Sequence, residues 1–200
     1  MNIFALNLNP EIAASEQCDQ HVIKMSCEYA QLLSTCHRIC DGMVWEGTSA
    51  KTGRKIKRYI LEDDEMNENL YLACHNNHPS NIWVRQSVNN YQWLYKLWVS
   101  TCKEYSRRYD KVHASLIKLQ QYLINPPVNI PNAPFTQPTP AMKQYPHCIV
   151  PGDSVQSYKN FYWEDKRKFA TWTNRPKPKW WQEFESIYGN EENNNNLVLA

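Results

Sequence analysis

"NIWVRQSVNNYQWLYKLWVSTCKEYSRRY", residues 81–109, is the longest apolar-periodic run in the chain, and its reading decides the fold. Neither Pro nor Gly interrupts it. Trp83, Tyr91, Trp93, Tyr95 and Trp98 point in several directions around a helical period, and a helix that is apolar nearly all round is a central, buried one. One long helix is therefore expected over 81–109, opened by Pro79 in a first turn that tolerates proline. A second helix, from near Glu11 to about Cys40, is expected against it, stopped by Asp41-Gly42.

Working outward, "MVWEG" (43–47) and "KIKRYIL" (55–61) flank a turn rich in Thr, Ser, Lys and Gly, which predicts a β-hairpin at roughly 43–61. Five acids between Glu62 and Glu68 suit the first turn of a short helix ending near Cys74. Residues 2–7 alternate and predict a short strand or extended segment, broken at Asn9-Pro10. A helix is expected over about 111–124. Residues 126–151 then hold eight of the twelve prolines, a run too long for an ordinary connector. It also carries Phe135, Met142 and Tyr145, so it is expected to pack down over the body. "GDSVQSYKNFYWEDKRKFATW" (152–172) reads as a helix capped by Asp153 or Ser154, and "KPKWWQEFESIYG" (177–189) as a last short helix. "NEENNNN" opens a low-complexity tail, 190–200, expected to be disordered. The fold class is mainly α: a single-domain helical bundle over 1–189 with a small β-hairpin insertion and a long Pro-rich segment.

Composition bounds function. The 200 residues are 42% hydrophobic, enough for one core, and the net charge is only +2. A dedicated duplex-DNA binder usually shows a stronger basic bias, so the charge alone gives little support for nucleic acid. The seven cysteines form no CxxC pair. Cys36, His37 and Cys40 come nearest to a metal cluster, but the expectation is reduced thiols packed as small apolar groups, with no metal and no cofactor. "MNIFALNLNP" has neither a basic start nor a long apolar run, and no segment approaches the ~20 apolar residues that span a bilayer. A soluble, cytoplasmic, monomeric protein is expected.

Polar residues in the 11–40 helix raise the functional question. His21, Lys24, Glu28, Gln31, Thr35 and Arg38 share one face. An amphipathic helix shows water such a face. Against that, a surface stripe usually mixes several Lys and Glu, whereas this one has a single carboxylate among cations, as a site for proton transfer or cation stabilisation would need. A second cluster, "NNHPSNIWVRQSVNNY" (76–91), sets His78, Asn81 and Arg85 beside apolar residues. They either tie helices together or approach an anion such as phosphate. A third, "KRKFATWTNRPKPKWW" (166–181), interleaves Arg175 and other cations with Trp172, Trp180 and Trp181. This suits either phosphate contact with base stacking or a packed element kept soluble by its lysines.

Asp19-Gln20-His21 with Glu28 seven positions on, then Asn77-His78-Pro79 with Arg85 seven positions past that His, resembles the pyrimidine-dimer DNA glycosylase family of phage and bacteria. The resemblance covers roughly 1–110 and, more faintly, 165–181. It implies a small helical glycosylase/AP-lyase acting on DNA, in a phage or bacterial host cytoplasm, with Glu28 as the catalytic glutamate. Two positions depart from the pattern. Cys27 stands where the family has an arginine, and residue 2 is Asn rather than the threonine whose freed α-amine attacks. The amine nucleophile would then be that of Met1, beside Asn2. His21, Lys24, Gln31, His78, Asn81, Arg85 and Arg175 become candidates for substrate or phosphate contact. Two other readings stand beside this one: an enzyme of phage type that modifies a nucleotide or base in a related cleft, and a non-enzymatic nucleic-acid or protein-binding module.

Overall fold

Ser87 breaks the central segment. In the computed structural model, whose description covers the backbone of residues 1–197 and the side chains of 1–189, the expected 81–109 helix is two: α4, Pro79–Arg85, and α5, Val88–Tyr109. Ser87 adopts an extended backbone and its Oγ accepts from the Asn89 amide, an N-cap that restarts the helix without Pro or Gly. The Pro-rich segment supplies partners for the groups exposed there. Val88 N–H donates to the Pro131 carbonyl, Ser87 Oγ–H and Asn89 Nδ2 to Ala133 O, and the Thr136 amide to Asn90 Oδ1. Asn90 Nδ2 meanwhile donates back to Trp83 O at 2.9 Å.

The 11–40 helix is divided in the same way. It forms α1, Pro10–Glu16, and α2, Asp19–Asp41, with a break at Gln17 and Cys18. The carbonyls left open at the end of α1 take donors from far along the chain. Arg108 reaches Gln17 O at 2.8 Å and Ser15 O at 3.1 Å, and the Trp172 indole reaches Glu16 O at 3.0 Å. Asn9 caps α1 with Pro10 at its first position.

The remaining elements follow the expected order. Strands β1, Met43–Thr48, and β2, Lys55–Ile60, pair antiparallel from Met43↔Ile60 to Thr48↔Lys55. α3 is Asp64–Asn69, shorter than expected, and α6 is Ala114–Leu123. α7, Ser154–Phe161, is capped by Asp153 and runs into one π-helical turn, Tyr162–Lys166. α8 starts at Lys179, and its backbone continues to Leu197. Residues 190–197 of the expected tail thus continue the helix in backbone, and 198–200 lie outside the described residues. Residues 2–7 form no strand. They bend, with Ala5 N–H bonded to Ile3 O and Leu6 N–H to Phe4 O, and bury Ile3, Phe4, Ala5 and Leu6.

Among the described residues the fold is mainly helical, 54%, a single body of eight helices with one two-stranded hairpin. Its core lies between α2 and α5, where Met25, Tyr29, Leu32 and Leu33 meet Leu94, Leu97 and Trp98. Trp98 Nε1 donates to Ser26 O at 2.9 Å and fixes the helix pair in register. Trp83 and Trp93 meet edge to face at 6.0 Å, and Phe135 of the Pro-rich segment closes over both. No described helix is long and apolar enough to cross a membrane.

Candidate functional site

The polar face of α2 is covered, not wet. His21, Thr35 and Arg38 are buried, Gln31 and Glu28 are half-buried, and only Lys24 is open to water. Tyr162 and Phe169 help to enclose His21, and the rest of the cover comes from two segments, residues 1–6 and the stretch from β2 to α4.

The first segment brings the N-terminus to Glu28. Phe4 stacks on the His21 ring at 4.1 Å, and its amide donates to the Tyr29 hydroxyl at 3.2 Å. Gln17 Nε2 donates to that same hydroxyl at 3.1 Å. The Tyr158 hydroxyl has Thr139 O at 3.3 Å and Asn2 Oδ1 at 3.5 Å as alternative acceptors for its proton, and accepts the Ala141 amide at 3.3 Å. Held this way, the Met1 ammonium lies 3.9 Å from Glu28 Oε2, and Lys24 Nζ lies 3.4 Å from Glu28 Oε1. The Met1 side chain is 6% exposed and that of Glu28 18%, so the carboxylate and amine meet where water is scarce but access remains.

The second segment brings in His78, whose Nδ1 caps α4 by accepting the Ser80 amide at 3.2 Å. Burial first, then the N-terminal ammonium and His75, push the His78 imidazolium below its ordinary pKa, while Glu28 pulls the other way. The three groups are thus within electrostatic reach of one another, and His78 is biased toward its neutral form. Asn81 and Arg85 support this loop. Asn81 Nδ2 donates to Cys74 O and His75 O at 2.9 and 3.0 Å, leaving its buried Oδ1 unpartnered. Arg85 Nη1 donates to Asn76 O at 3.0 Å.

Two expected phosphate contacts are placed elsewhere. His21 is buried, hydrogen-bonded through Nδ1 to the Tyr162 hydroxyl, and burial pushes its pKa down to about 3. A neutral, enclosed imidazole has no charge to offer a phosphate. Arg175 is bidentate on Glu104, which also meets Arg108, which in turn holds Asp19 Oδ1 at 2.9 Å. Asp19 further accepts from the Thr173 amide and the Thr171 and Thr173 hydroxyls. This chain of charges clasps the C-terminal segment onto the α1–α2 break. Trp172, Trp180 and Trp181 are likewise buried, so the basic–aromatic stretch presents no stacking platform.

The cysteines are all free, and Cys36, His37 and Cys40 do not converge: His37 turns its Nε2 to the Tyr91 hydroxyl at 2.8 Å. Among the described residues no group of three or more His, Cys, Asp or Glu could hold a metal ion. Tyr29 and Tyr158, which position the N-terminus, were not singled out from sequence. Neither carries a spacing signal, because both act through contacts with residues far away in the chain.

Comparison of the chain with family models, with curated proteins and with solved structures returns no match.

Proposed function

We propose that this chain is a DNA glycosylase/AP-lyase-like enzyme for a damaged or modified pyrimidine, working through the Met1 α-amine and Glu28. The observation that carries the reading is the amine held 3.9 Å from a shielded carboxylate on a face otherwise covered by protein. The neutral α-amine carries a free lone pair and is a nucleophile. Its lone pair attacks the sugar C1′ while the N-glycosidic bond breaks and the base departs with the bonding pair. Loss of the amine proton and opening of the ring give an imine, and Glu28 stabilises the cationic sugar and carries protons. Removal of a C2′ proton then breaks the 3′ C–O bond by β-elimination, and water releases the amine. His78, whose Nδ1 accepts the Ser80 amide and whose neutral ring therefore carries its proton on Nε2, delivers a proton to the leaving base. Lys24 is the phosphate contact that remains exposed.

A second reading, an enzyme on a free nucleotide or base, is favoured by the balance of charge: outside residues 43–60 the chain carries a net −2. Salt-dependent binding of duplex DNA separates the two, since a mononucleotide enzyme has no such footprint.

The test is borohydride trapping on an oligonucleotide with an abasic site. The wild-type chain should form a covalent adduct, and Glu28→Gln, which keeps shape and removes charge, should lower its rate by about 100-fold or more while DNA binding survives. Wild-type trapping that Glu28→Gln leaves unchanged would refute the role of Glu28. The absence of any adduct would refute the imine chemistry.

A further inference from the structure

We propose that the β1–β2 hairpin is a duplex-DNA grip, a basic two-stranded ribbon that enters the major groove beside the Met1–Glu28 site; the proposal rests on the reading that the substrate is DNA. The whole-chain charge conceals this feature. Residues 43–60 hold five cations, Lys51, Arg54, Lys55, Lys57 and Arg58, against the single carboxylate Glu46, a local net charge of +4 in a protein of net +2.

The ribbon has no other evident use. Most of its residues are exposed, including Met43, Val44 and Trp45, while Ile56, Arg58 and Tyr59 are half-buried and Tyr59 anchors the root. A lone two-stranded hairpin is marginal in water, so an exposed one is a candidate for stabilisation by a partner. The cations favour a polyanion. Glu46 and Lys57 pair across the strands at 3.7 Å, which leaves Lys51, Arg54 and Lys55 at the tip facing solvent. The tip, Ser49–Arg54, is closed by bonds from Gly53 N to Ser49 O and from Ser49 N to Arg54 O, with Gly53 at φ +66°. No apolar residue larger than Ala50 leads it, as one would in a wedge for lipid. On one face Trp45 lies across Gly47, and Arg58 is its register partner on β2. The B-form major groove, about 12 Å wide, admits a two-stranded ribbon, whereas the A-form RNA major groove is too narrow for side chains to read.

The ribbon's root ties it to the site. Arg38 Nη1 donates to Tyr59 O at 2.8 Å, and Asn76 Nδ2 donates to the Tyr59 hydroxyl at 3.4 Å. Asn76 O in turn accepts from Arg85, in the loop that presents His78. Glu28 and the hairpin root are separated by roughly 20 Å of α2 at 1.5 Å per residue. That corresponds to about six base pairs of a duplex lying along the helix.

The experiment measures binding of the full chain to a fluorescent 20-base-pair duplex over a range of salt, for wild type, for Lys51→Ala/Arg54→Ala/Lys55→Ala, and for Lys103→Ala/Lys111→Ala/Lys118→Ala. The last set removes the same charge from exposed sites on and beside α5 and α6. The hairpin variant should weaken binding about 30-fold or more near 100 mM salt and lower the slope of log K against log salt by about 2–3, while the control set changes neither. Equal effects of the two sets, an unchanged slope in the hairpin variant, or no duplex binding by wild type would overturn the proposal. So would tighter, hairpin-dependent binding to phosphatidylserine vesicles than to DNA. Borohydride trapping on the same abasic duplex keeps the two claims apart. Hairpin-dependent binding without an adduct upholds the grip and refutes the glycosylase reading, and an adduct with hairpin-independent binding does the reverse.

Discussion

Replacing Arg38 with Met should destabilise the protein by about 4 kcal/mol and loosen the hairpin root before anything else. Arg38 sits in the last turn of α2, is 1% exposed and pairs with no carboxylate among the described residues. Its guanidinium donates to five acceptors at 2.7–2.9 Å: Tyr71 O, Tyr59 O, Asn67 Oδ1, Asn67 O and Leu70 O. The open carbonyls of the helix end and of these loops supply the negative potential a paired carboxylate normally would. Methionine fills much of the volume and removes the charge, so the cost lies in stranded acceptors rather than in an unpaired ion. The bond to Leu70 O is buried, and losing it leaves a dry carbonyl worth about 2 kcal/mol. The other four acceptors are part-buried, and water can replace the lost donor at about 0.5 kcal/mol each. Urea denaturation reads the total, and amide exchange should show residues 55–74 losing protection first. Lys111→Ala, on an exposed loop, should stay within about 0.5 kcal/mol. A loss below about 1 kcal/mol for Arg38→Met would refute the claim that this one side chain secures the hairpin and the 67–71 segment.

Two further outcomes follow from the core. Burial pushes the His21 pKa to about 3 and that of His37 to about 4, so both are neutral when folded and take up protons readily when unfolded. The stability they contribute is therefore complete above the unfolded pKa near 6.5 and lost as the pH falls toward 4. At pH 5 each should cost about 2 kcal/mol, and a urea midpoint that does not move between pH 7.5 and 5 would contradict this. Trp93→Ala should cost roughly 3–5 kcal/mol by denaturation, because the ring is buried against Trp83 and Phe135 and its Nε1 donates to Leu8 O at 2.7 Å. A cost under about 1 kcal/mol would place α5 outside the core.

Periodicity and turn chemistry made the helices, the hairpin and the packed Pro-rich segment legible, because those signals are local. The two helix breaks were not. At Ser87 and at Gln17–Cys18 the chain leaves the helix because distant groups, Pro131 and Ala133 in one case and Arg108 and Trp172 in the other, take over backbone bonds that the helix gives up. The site divides along the same line. Glu28 could be singled out as one carboxylate among cations, and the structure sets it beside the N-terminus. His21 shares its face in projection, yet Phe4 and Tyr162 bury it, and no reading of α2 alone shows that. Arg175 looked available because its partner Glu104 lies 71 residues away. The hairpin's charge is hidden in the whole-chain total because acids elsewhere in the chain cancel it.

The central claim is that the amine at Met1, steered by Glu28, performs the chemistry. Peptide mapping by mass spectrometry of the borohydride-trapped adduct tests it most directly. Two amines lie within 4 Å of the Glu28 carboxylate, the Met1 α-amine at 3.9 Å and Lys24 Nζ at 3.4 Å, so the mapping must tell them apart. The account predicts the sugar remnant on the α-nitrogen of Met1, and no adduct after that nitrogen is acetylated. A remnant on Lys24, or an adduct that survives acetylation of the N-terminus, would contradict it.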